Sequence, residues 1–225
     1  MSVVERLDAV RERLANACHQ AGRDPADVQL IAVSKTHPAA AIEAAKASGQ
    51  LHFGENYAQE LRDKCRVLPQ PDLRWHYIGR LQSNKAKYVA PVAYRVHALE
   101  TVSHAKALAA KAPGPLSCLV SVNLGLEDSK AGVPPDQALD RCAELAEVPG
   151  IRIVGLMALP PYDADPAKSA PHFETLANLA AHGRSHGLPL NELSMGMSHD
   201  FEVAVQYGAT WIRVGTAIFG PRPKA

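Results

Sequence analysis

Lys35 follows the apolar run LIAVS directly. An ammonium emerging from apolar surroundings loses hydration, which lowers its pKa and frees the neutral amine to form an imine with a carbonyl. A strand-end lysine can equally run its stem along the surface and leave its charge in water, and for Lys35 alone that reading wins. Two later segments are suited to an anion. SMGMSHD (194–200) offers Gly196 for close approach and Ser198 as hydroxyl donor and expected helix N-cap. VGTAIFG (214–220) offers Gly215, Thr216 and the backbone amides that follow. Together they supply several N–H and O–H donors to one dianion; separately, each is an ordinary cap or turn. Arg213 shares a strand face with Trp211 by period-two alternation, while Ile212 and Val214 point the other way. An inward Arg213 needs a partner because an unpaired buried charge is costly, and an outward one pairs with a helix carboxylate. The pattern leaves both open. Asn56 lies in FGENY at a strand-to-helix turn, and HYIGRLQSNK places Gly79 before Ser83 or Asn84 at the expected start of a helix.

These residues share a place in the chain: each lies at or just beyond the end of a predicted strand. Runs rich in β-branched residues alternate with amphipathic stretches, the pattern of βαβ units. Strands are expected at VQLIAVS, LHFG, RWHYIG, YRVHAL, LSCLVSVN, IRIVGLMAL, NELSMG and TWIRVG. Helices are expected between them, the longest over 167–186, and an extra helix opens the chain. Eight such units with no linker or composition shift predict one α/β domain over residues 1–225, a closed (β/α)8 TIM barrel rather than an open doubly wound sheet. The strands read as apolar on both faces, as a parallel barrel under helices requires. Barrel sites form at the carboxyl ends of the strands, and the loops after strands seven and eight are a recurrent phosphate site.

Composition narrows the partners. The 225 residues carry 24 Lys and Arg against 23 Asp and Glu, a net charge of +1, so no global field draws the chain to nucleic acid or an anionic membrane. A small-molecule partner is expected. The amino terminus has helical spacing rather than the continuous apolar core of a signal peptide, and no stretch is apolar enough for a membrane span, so the cytoplasm is expected. Cys18, Cys65, Cys118 and Cys142 are scattered without a CxxC pair and are read as reduced thiols. His182 and His186 stand four apart, but without a carboxylate to complete a ligand set they are read as a solvated helix face.

AVSKTHP, HFGENYAQE, WHYIGRLQSNK, GLMALPP, LSMGMSHDFEVAV and VGTAIFG, in this order over almost the full chain, resemble the signatures of the pyridoxal phosphate homeostasis proteins. The barrel of that family is similar to the amino-terminal domain of alanine racemase. The resemblance implies pyridoxal 5′-phosphate as cofactor, bound to Lys35 as a Schiff base. It places the phosphate on Ser198, Gly215 and Thr216, Arg213 opposite the pyridine nitrogen and Asn56 beside the ring, and suggests Met157 or His76 at the pocket wall. His37, Arg80 and His199 depart from the family's common residues. The implied function is to buffer or deliver the cofactor, with apo-enzymes as recipients and no amino-acid turnover. An amino-acid racemase is the alternative, and a class I aldolase also combines a Schiff-base lysine with a phosphate site. The chain ends shortly after IFG, so the second domain of a racemase, with its opposing base and dimer contacts, is expected to be missing; a monomer follows.

Overall fold

The computed structural model describes residues 1–125 and 132–221. Their elements are α1 (Val3–Gln20), β1 (Gln29–Val33), α2 (Ala39–Ala47), β2 (His52–Glu55), α3 (Ala58–Val67), β3 (Arg74–Tyr77), α4 (Ala86–Val89), β4 (Arg95–Leu99), α5 (Val102–Ala109), β5 (Leu116–Val122), α6 (Ala138–Ala146), β6 (Ile151–Ala158), α7 (Ala170–Ser185), β7 (Glu192–Ser194), α8 (Phe201–Gln206), β8 (Trp211–Val214) and α9 (Thr216–Phe219). The strands are parallel and close in order, β1 pairing β8 with Leu30 opposite Ile212 and Ala32 opposite Val214. The chain is therefore a (β/α)8 barrel with an added amino-terminal helix, as its sequence predicts.

Local chemistry explains the first helix. Ser2 Oγ accepts the Glu5 N–H at 3.2 Å while the Glu5 carboxylate accepts the Ser2 N–H at 2.7 Å, a reciprocal cap that satisfies two amides. Leu7, Val10, Leu14, Ala17 and Cys18 then recur on one buried stripe, and α1 packs against α8 and α9 beside the β1–β8 seam. The long seventh helix is trimmed to Ala170–Ser185 because a 3-10 turn, Pro166–Ser169, precedes it under the Asp165 side chain. The next-helix start expected at Ser83 or Asn84 is also a 3-10 turn, Ser83–Lys85, without a side-chain cap.

Outward residues of the strands, among them Phe53, Trp75, Tyr77, Val96, Ile212 and Val214, form the core under the helices. The inward face corrects the expectation of strands apolar on both sides. His76, His97, Ser194 and Arg213 are buried there beside Arg95, Glu192 and half-buried His52. Hydrogen bonds meet the desolvation cost that such groups incur. Arg95 Nη1 donates to Glu192 Oε2 at 2.5 Å and Trp211 Nε1 donates to the same oxygen at 2.8 Å. Among the described residues no helix is long and apolar enough to cross a membrane, and no group of three His, Cys, Asp or Glu could hold a metal ion. The ring centroids of His182 and His186 lie 4.4 Å apart with the planes tilted by 50°.

Candidate functional site

A cavity of about 410 Å³ opens at the carboxyl ends of β1, β2 and β8 and is lined by Lys35, Asn56, Ser198, Arg213, Gly215 and Thr216. All six residues singled out in the sequence thus meet in one place, although 181 positions separate the first from the last. Barrel closure accounts for it: β1 and β8 are distant in sequence but hydrogen-bonded neighbours.

Lys35 stands on an unusual support. Thr36, next in the chain, has φ of 66°, a left-handed conformation that costs a β-branched residue energy and must be held from outside. Its N–H donates to Glu60 Oε1 at 2.6 Å, and the His37 N–H donates to the Ser34 carbonyl at 3.0 Å. Buried Lys64 ties these parts together, donating to Glu60 Oε1, Glu55 Oε1 and the Ser34 carbonyl, each at 2.7 Å. Ser34 Oγ donates to Glu55 Oε1 at 2.6 Å. Burial pushes the Glu55 carboxyl up to about 7 although Lys64 pulls it down, and Glu55 Oε2 has no hydrogen-bond partner among the described residues. The sequence reading missed this network. Spacing carried one part of it, since Glu60 and Lys64 are four apart on α3.

The anion loops meet as expected in place but not in capping. Ser198 does not cap α8; Asp200 holds the N-cap position, though without a side-chain bond to the helix. Asp200 is buried, and its carboxylate accepts the Met197 N–H at 2.6 Å and the Ser169 hydroxyl at 3.0 Å, which pins the loop from beneath. Gly196 has φ of 90°, and a Cβ there would stand 2.7 Å from Ala204 Cβ, so only glycine lets the loop lie on α8. Ser198 Oγ is thereby free of the cap and accepts the Gly215 and Ala217 amides at 3.3 and 3.4 Å. These long bonds bring two N–H groups and a hydroxyl to one spot beside exposed Thr216.

Arg213 points inward, 4 % exposed, which settles the choice of face. Its Nη1 donates to Ser194 Oγ at 2.6 Å and its Nη2 to the Ala158 carbonyl at 2.9 Å. Burial lowers its pKa to about 10, opposed by Asp200, so the guanidinium stays charged and no salt bridge to it is found among the described residues. Asn56 is fixed by Gly79, where any Cβ would overlap the Asn56 carbonyl. Its Oδ1 is buried without a hydrogen-bond partner among the described residues. Met157 lines a neighbouring cavity of about 220 Å³ with Arg80 and Glu100. His76 does not line the 410 Å³ cavity but lies fully buried inside the barrel. Ile78, Leu159 and exposed Tyr162, none of them expected, also line the wall, as does His199, whose ring lies 4.9 Å from that of Tyr162.

Comparison with known proteins identifies the family and the fold. Residues 6–223 match the family model described as alanine racemase, N-terminal domain. The pyridoxal phosphate homeostasis protein of Aquifex aeolicus is 39 % identical over 99 % of both chains, and that of Pseudomonas aeruginosa 41 % identical over 98 % of this chain and 96 % of its own. The solved structure of PipY from Synechococcus elongatus PCC7942, with PLP bound, superimposes with a TM-score of 0.84 at 37 % identity, over 97 % of this chain and 100 % of that one. Alanine racemase of Corynebacterium glutamicum shares the fold, with a TM-score of 0.72 at 20 % identity over 63 % of its length. The chain belongs to the pyridoxal phosphate homeostasis protein family, built on the barrel of the alanine racemase N-terminal domain.

Proposed function

We propose that residues 1–225 form one domain that binds pyridoxal 5′-phosphate and buffers or delivers it without turning over amino acids. The observation that carries this reading is the meeting of an amine, an anion cradle and a charged guanidinium in one cavity. Lys35 Nζ is the amine for covalent attachment of the aldehyde. Ser198, Thr216 and the amides at Gly215 and Ala217 hold the phosphate, whose charge strengthens donor contacts that are long here. Asn56 Oδ1, buried and without a hydrogen-bond partner among the described residues, fits a polar ligand edge.

When bound, the cofactor supplies an electron sink, and Arg213 weakens it. A guanidinium opposite the ring nitrogen disfavours a proton there, which supports the carrier reading without separating it from a racemase, since racemases of this fold share the arrangement. The relatives' names support the same reading. Apo-enzymes that use the cofactor are the recipients, the protein acts as a monomer, and the cytoplasm is its place. The purified protein is expected to show a visible absorption band that borohydride abolishes, with the pyridoxyl adduct on Lys35 and no band in Lys35→Ala. An adduct on another lysine overturns the assignment. Loss of the α-proton of L-alanine in deuterium oxide well above a free-cofactor control, and abolished by Lys35→Ala, replaces the carrier with an enzyme.

A further inference from the structure

The barrel interior contains a line of imidazoles that the cofactor site does not use directly. His52 Nδ1 is 2.9 Å from His76 Nε2, His76 Nδ1 is 2.9 Å from His97 Nε2, and His97 Nδ1 is 2.8 Å from Ser194 Oγ. Ser194 Oγ in turn receives the 2.6 Å bond from Arg213. The line therefore runs from half-buried His52, through fully buried His76 and His97, to the guanidinium at the cavity. Trp211 flanks all three rings at 5.0 to 6.1 Å.

A neutral imidazole has one N–H and one lone pair, and each contact in the line holds one proton between its two heavy atoms. If all three rings are neutral, only two arrangements satisfy every contact: every ring protonated at Nε2, or every ring protonated at Nδ1. The far end chooses between them. Arg213 can only donate, so Ser194 Oγ accepts from it. Were His97 to donate to Ser194 as well, the serine hydrogen would need a third partner, and among the described residues Ser194 Oγ meets only Arg213 and His97. With every ring protonated at Nε2, Ser194 donates to His97 Nδ1 and the last N–H emerges at His52. That arrangement also turns each ring's lone pair towards the Arg213 charge. We propose that His52, His76 and His97 form a one-directional chain of Nε2–H imidazoles whose polarity is set by Arg213 through Ser194. In this chain His97 is a positioning residue, because it keeps Ser194 turned to accept the guanidinium.

The surroundings favour neutral rings. The charged groups facing the line are Arg74 and Arg95, which disfavour protonation, Glu192, which is already bonded to Arg95 and Trp211, and Arg213 itself. Burial, the leading cause, brings His52 down to about 4 and moves His76 and His97 well below the ordinary imidazole value.

Isotope-labelled imidazole NMR of the cofactor-free protein tests the chain. Three neutral Nε2–H signatures that do not move between about pH 6 and 8 are expected. Nδ1–H or mixed tautomers, or titration in that range, overturn the proposal. Arg213→Met removes the cation and is expected to mix the tautomers at His52; a pure Nε2–H signal there overturns the role given to Arg213. If that variant does not fold, the wild-type spectra still decide. The consequence for the ligand rests on the function proposed above, and the NMR does not, so the two fail separately. His97→Leu is expected to weaken pyridoxal phosphate by about threefold or more, with most of the loss restored in His97→Gln, whose amide can both accept and donate. Equal losses in the two variants would mean packing alone and overturn the positioning role.

Discussion

Glu55 gives a pH dependence whose sign and size follow from its burial. Its carboxyl sits near 7 in the folded protein against an ordinary 4.5, so the fold binds this proton more tightly than the unfolded chain does. The stabilisation is complete below about pH 4.5 and is lost as pH rises through about 7. A difference of about 2.5 units at about 1.4 kcal/mol each amounts to roughly 3 kcal/mol. Glu55→Gln cannot ionise. Its amide oxygen can still accept from Lys64 and Ser34, and its NH2 takes the place of Oε2, which has no partner among the described residues. The stability of the wild type minus that of the variant is therefore expected to fall by roughly 3 kcal/mol between about pH 4.5 and 8, other titrating groups cancelling in the difference. Urea unfolding reads this directly. With a slope of about 1–3 kcal/mol per molar, the two midpoints should move relative to each other by about 1–3 M across the range. Parallel curves, or a difference that grows with pH, would show that attraction to Lys64 outweighs desolvation and that the carboxylate is ionised throughout.

The remaining predictions concern the cavity and the barrel interior. Gly79→Ala drives a methyl into the Asn56 carbonyl and should cost about 1–3 kcal/mol of stability while weakening cofactor binding; an unchanged melting temperature and affinity would refute the contact. The Ser198→Ala, Thr216→Val double variant should bind pyridoxal phosphate more weakly by roughly 1–3 kcal/mol per lost charged hydrogen bond, yet bind pyridoxal as before. Equal losses for both ligands in titration would sink the phosphate role. For His52, His76 and His97 the folded pKa values are lowered. Their contribution is thus present above about pH 6.5 and lost as pH falls through the folded values. Acid unfolding should steepen below about pH 6.5 and be blunted in His97→Gln, as circular dichroism across a pH titration would show.

Much of this molecule is encoded locally. Lys35 at the end of an apolar run, the glycine-centred loops at Gly196 and Gly215 and the alternation of strand and helix are all properties of short segments. Each expected strand lies within a residue or two of where the chain places it. Other features depend on which residues meet across the barrel. Period-two spacing put Trp211 and Arg213 on one face, yet only the pairing of β8 with β1 and β7 turned that face inward. Ser198 reads as a cap in its own segment, but its oxygen is taken by amides from the β8 loop while Asp200 holds the N-cap position. The strands containing His52, His76 and His97 read as apolar because a histidine among valines and aromatics has no partner in its own segment. Its partners come from neighbouring strands, and a buried polar line exists only once closure brings those strands into register. The sequence by itself determined which elements form and which residues stand at their ends; the tertiary structure decided which faces turn inward and which buried polar groups meet, because those contacts join residues far apart in the chain.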